Sequence, residues 1–75
     1  MKYVVHTASP AVSGPSRDRD RAFTLTRIAA QAARSGDCAT TLALERAVRD
    51  LDTNVHHTWF VRDEAIKACL DSAAP

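Results

Sequence analysis

The chain has 75 residues, of which 45% are hydrophobic and 25% charged, with a formal net charge of +1 at pH 7. Such a length allows one domain, residues 1–75, burying only about 60 to 65% of the surface its unfolded chain exposes. The composition excludes a charge-dominated disordered polymer, and the near-neutral total argues against a uniformly basic nucleic-acid coat.

Apolar runs are short, as in Tyr3-Val4-Val5 and Trp59-Phe60-Val61. A membrane span needs about 20 apolar residues and the apolar core of a signal peptide roughly 7 to 15, so neither is expected. The expectation is a cytoplasmic protein. In that reducing setting Cys38 and Cys69 should be buried thiols that behave as small hydrophobes, not a bridge. Arginine outnumbers lysine eight to two and alanine occurs fourteen times, a usage that points to a GC-rich bacterial, plasmid or phage genome.

In chain order, Lys2 to Thr7 (KYVVHT) is rich in β-branched and aromatic residues and predicts a short strand over 2–7. Residues 8–16, with Pro10, Gly14 and Pro15, predict a loop. Ser16 is suited to cap a helix over 17–35, with Asp18 and Asp20 near the positive end of its dipole. Arg17 with Asp20 and Asp18 with Arg21 are i,i+3 partners, so SRDRDRAF reads as a charge-compensated helix start and not as a polybasic arm. Leu25, Ile28, Ala29 and Ala32 recur at helical spacing and predict a narrow apolar face.

Arg34-Ser35-Gly36-Asp37 is the clearest punctuation: Gly36 fits the left-handed residue after a helix and Asp37 is a strong N-cap. A second helix follows over 38–52, with Leu44, Ala47, Val48 and Leu51 on one stripe. Residues 55–61 (VHHTWFV) favour a strand by composition, although Thr58 could cap a helix start instead. Asp63 then caps a last helix over 64–73, with Ile66, Cys69 and Leu70 facing inward. The predicted fold is therefore mainly α with a small β element (α+β): an N-terminal strand, a helical hairpin, a second short strand able to pair with the first, and a C-terminal helix. On that strand Trp59 and Phe60 anchor the fold from opposite sides, unless one is an exposed contact for a partner.

No catalytic constellation accompanies these elements. The two glycines stand alone in turns, and no nucleophile elbow or phosphate loop is present. His6, His56, His57, Cys38 and Cys69 lack the short paired spacing of structural zinc sites, so neither metal nor cofactor is expected. His56 and His57 read as half-exposed strand residues available to a partner.

The stretch IAAQAARSGDCATTL is similar to a helix-turn-helix, with Ile28, Ala29, Ala32 and Leu42 at its packing positions and Ala33 at the usual glycine. Asp37 to Thr41 would then open the recognition helix. Within the last twenty residues, TWFVRDEAIKACL resembles the wing-plus-helix ending of small excisionase-type regulators. That resemblance implies a DNA-binding regulator. Against it, Arg34 stands where an apolar residue anchors the turn, and Asp37 and Glu45 put acid on the reading face. Residues 1–36 carry six basic against two acidic groups, net +4, and residues 37–75 four against seven, net −3. Any DNA contacts would thus come from Arg17, Arg19, Arg21, Arg27 and Arg34.

Separated charge on a near-neutral chain favours another protein as partner. The leading expectation is a non-enzymatic protein-binding module, of the kind of short regulators or inhibitors that phages and plasmids encode to occlude a host site. Its candidate contacts are Leu42, Trp59, His56, His57, Arg17, Arg19 and Arg21. Leu42 lies across the second helix from Leu44 and Leu51, flanked by Ala39 and Ala43, and is the expected seam of a homodimer.

Overall fold

The computed structural model describes residues 8–73, with side chains on the first helix from Ser16 onward. Helix α1 (Ala8–Arg34) is followed by α2 (Cys38–Leu51). A short turn α3 (Thr53–Val55) runs into a π-helical turn (His56–Phe60), and α4 (Glu64–Ala73) completes the chain. No strand occurs among the described residues, so the predicted α+β class is corrected to all-α. The strand expected at residues 2–7 lies outside the described residues.

Of the expected strand over 55–61, residues 55–60 are helical and Val61 lies in the turn that follows, because local caps override β propensity. The Asp52 carboxylate accepts from the Val55 N–H at 3.0 Å, and the Thr58 hydroxyl donates to the Asn54 side-chain oxygen at 2.9 Å. Beta propensity reflects fit to a pleated neighbour, and no neighbouring strand is present among the described residues to supply one.

The first helix starts earlier than expected. Residues 8–16, predicted as a loop leading to a helix capped by Ser16, are helical. Pro10 falls in the first turn, where a missing N–H costs nothing, while Pro15 leaves the Ala11 carbonyl without its intrahelical donor. Extending an established helix fixes one residue per added bond, and α1 is anchored further along by its packed half. Its covered face is also rotated from the predicted one. Ala22, Ala29 and Ala30 are buried, whereas Ile28 is 48% exposed. Neighbouring residues on a helix point roughly 100° apart, so burying Ala29 between two layers turns Ile28 outward.

Local punctuation behaves as read. Gly36 has φ +86°. Asp37 N–H donates to the Ala32 carbonyl at 2.8 Å and Gly36 N–H to that of Ala33 at 3.0 Å, the paired bonds of a Schellman ending. Asp37 then caps α2, accepting from the Thr40 N–H at 3.0 Å and the Thr40 hydroxyl at 2.7 Å. The hydroxyl and then the N–H hold the Asp37 carboxyl below its usual range. Depressed in the folded state, this group adds stability above its ordinary pKa that is lost as pH falls through the lowered value. Asp63 caps α4 in the same way, accepting from the Ile66 N–H at 3.0 Å.

The core joins Ala22, Ala29 and Ala30 of α1 to Val48, Val55, Phe60 and Ile66, with Leu25, Leu44, Leu51 and Leu70 packed around it. Thr41 is completely buried on α2, and its hydroxyl lies 3.0 Å from the Ala29 carbonyl as a donor. A cross-helix hydrogen bond of this kind is possible only where α1 presents alanines and the backbones come close. Cys38, the first residue of α2, is joined to Cys69 of α4 with a Cα–Cα distance of 5.3 Å. The expectation of unbridged thiols is thereby corrected: spacing in sequence says nothing about two cysteines that folding brings to one point.

Candidate functional site

The π-helical turn sets the most distinctive surface feature. Consecutive residues on a helical turn point in different directions, and the two aromatics part accordingly: Phe60 is completely buried and Trp59 is 55% exposed. The expectation that both rings anchor the fold is thus half corrected, with Phe60 in the core and Trp59 at the surface. Trp59 is not loose there. It meets Phe23 of α1 edge-on, with ring centroids 5.7 Å apart and planes at 66°, an arrangement that satisfies the quadrupoles of both rings.

The two histidines separate similarly. His57 is exposed, whereas His56 is buried, correcting the reading of both as half-exposed strand residues. The His56 ring stacks on Phe60 at 5.5 Å, and its Nε2 lies 2.9 Å from Glu45 Oε2. Glu45 also faces Arg49 at 3.8 Å. The bond from α2 to the π-turn spans eleven residues, and no helical periodicity in the sequence could have revealed it.

Arg17, Arg19 and Arg21 are exposed on the part of α1 that precedes Ala22. The ion pairs expected with Asp18 and Asp20 are not formed within 4.0 Å among the described residues. Arg27 is exposed further along, and Arg34 reaches Asp63 at 4.0 Å. Leu42 is 36% exposed and flanked by exposed Ala39 and Ala43, so the far face of α2 is a small apolar patch.

Several helix-turn-helix expectations change. Of the four packing positions only Ala29 is fully covered, since Ile28 and Leu42 are exposed and Ala32 is half-buried. The segment likened to a wing is the π-turn. Glu45, read as acid on the outer face of α2, is instead held beside His56. That leaves Arg46, Arg49 and Asp50 as the exposed charges of α2, with Arg46 facing Asp50 at 3.9 Å.

Among the described residues no three His, Cys, Asp or Glu side chains converge as a metal ion would require. No described helix is long and apolar enough to cross a membrane. Two surface grooves are open, one beside Arg34, Asp63 and Glu64, the other along α1 beside Arg27, Ile28 and Gln31. Neither brings a nucleophile to a base. Comparison with protein families, with curated proteins and with solved structures finds no match for this chain.

Proposed function

We propose that this chain is a non-enzymatic protein-binding module that needs no cofactor, acting as a small regulator or inhibitor by covering a site on a larger protein. The observation that carries the reading is Trp59, 55% exposed and packed edge-on against Phe23. A tryptophan exposed on one side and packed on the other offers a large contact area, and Trp is enriched among the residues that dominate binding energy. Capture of partners from a bacterial lysate, with nuclease present, tests the reading. The unaltered chain should retain a protein at moderate salt, and a folded Trp59→Ala chain should not. Equal retention by both chains would dismiss Trp59 as the contact.

One observation favours a second reading, DNA binding: Glu45 is turned toward His56, and Arg17, Arg19, Arg21 and Arg27 of α1 are exposed with no carboxylate within 4.0 Å among the described residues. In that case nuclease abolishes capture. Replacing Arg17, Arg19, Arg21, Arg27 and Arg34 in pairs should then flatten the salt dependence by roughly one unit per lost phosphate contact.

Self-association belongs to the same proposal, with Leu42 at the seam of a two-fold dimer. Leu42→Asp should give a folded monomer by sedimentation, while Val48→Asp should unfold the chain because it buries a charge beside Ile66 and Phe60. A wild-type sedimentation profile for Leu42→Asp would make the patch ordinary surface. A cytoplasmic location completes the proposal. The Cys38–Cys69 bond weighs against it, since such bonds persist chiefly in oxidising compartments.

A further inference from the structure

The Trp59–Phe23 corner lies in a cationic setting that the fold does not neutralise. Phe23 shares a stripe of α1 with Arg19 one turn before it and Arg27 one turn after, and residues four apart on a helix have Cβ atoms about 5 to 6 Å apart. Both residues are exposed, and among the described residues neither lies within 4.0 Å of a carboxylate. Asp20 is the one acid of α1 on the same stripe, so two arginines stand against one aspartate around an apolar centre.

Arg19 and Arg27 are separated along the α1 axis by about 12 Å, at roughly 1.5 Å per residue. An extended peptide crosses that distance in about four residues, and its side chains at i−2, i and i+2 point the same way. From this geometry we infer that the corner docks an extended acidic segment of a partner protein, one apolar or aromatic anchor with a carboxylate two residues to either side. The inference rests on the protein-binding reading and gives its partner a chemistry. The anchor covers Trp59 and Phe23, and the flanking carboxylates meet Arg19 and Arg27. Charge matching of this kind speeds association and weakens with salt.

The test is a selection of random displayed peptides on the immobilised full chain, followed by titration of the winners using the emission of Trp59, the single tryptophan. Enriched sequences should carry Asp or Glu two residues either side of an apolar residue. Their affinity for the unaltered chain should fall as salt rises, and at low salt Arg19→Glu with Arg27→Glu should lower it about tenfold or more. Both positions are exposed, and circular dichroism is to check that the variants fold. Peptides that need Trp59 but carry no acids, or that bind the charge-reversed variant undiminished, would overturn this inference and leave the protein-binding reading standing. Failure to enrich any peptide would overturn it, with lysate capture deciding the wider reading separately. Duplex DNA held in preference to every selected peptide would overturn both.

Discussion

Phe60→Ala should destabilise the chain by about 3 to 5 kcal/mol, the usual cost of truncating a buried aromatic. Phe60 is completely covered, lies at the meeting of the π-turn with α1 and α2, and supplies the surface on which the His56 ring stacks. Its removal leaves a cavity and deprives His56 of its packing partner while Glu45 still requires the hydrogen bond. A domain of this length has about 4 to 11 kcal/mol of stability, so the variant should be largely unfolded at modest denaturant. Trp59→Ala, one residue earlier, should cost less, about 1 to 3 kcal/mol, from the aromatic pair and the part of the ring that is covered. Urea denaturation followed by circular dichroism measures both. Equal losses for the two variants would mean that the π-turn does not divide the rings between core and surface.

Opening the Cys38–Cys69 bond should lower stability by about 3 to 4 kcal/mol, taking the loop-closure entropy for residues 31 apart in sequence. The bond ties the start of α2 to the penultimate turn of α4, and α4 is a short helix of ten residues that would not persist without packing. The constraint acts mainly on the unfolded chain, so reduction should shift the urea midpoint downward with a larger slope as the unfolded state expands. Cys38→Ala with Cys69→Ala should reproduce the effect in oxidising buffer. An unchanged midpoint under reductant would mean that the sulfurs contribute only as buried hydrophobes. Alkylation of free thiols in intact cells, before lysis, then tells the compartment: two modified cysteines place the chain in a reducing one and none in an oxidising one.

Much of the helical framework was legible in the sequence because its signals act within one turn. Gly36 and Asp37 close α1 and open α2 through bonds to Ala32, Ala33 and Thr40, and Asp63 opens α4 through a bond to Ile66. The inward stripes Val48 with Leu44 and Leu51, and Ile66 with Cys69, follow from a period of 3.6 residues. Leu42 and its alanines were placed correctly on the outer face of α2 by the same arithmetic. What the tertiary structure alone decided are matters of which surfaces meet. Residues 55–61 had the side chains of a strand, but a strand requires a ladder partner, and Asp52 and Asn54 provided helical hydrogen bonds instead. The arc of α1 that is buried depends on where α2 and the π-turn lie, which is why three alanines are inside and Ile28 is out. The contacts of Trp59 with Phe23, His56 with Glu45 and Cys38 with Cys69 join residues 11 to 36 positions apart. At such separations periodicity and propensity carry no information, because the pairing is selected by the packing of whole helices and not by any property of the intervening chain.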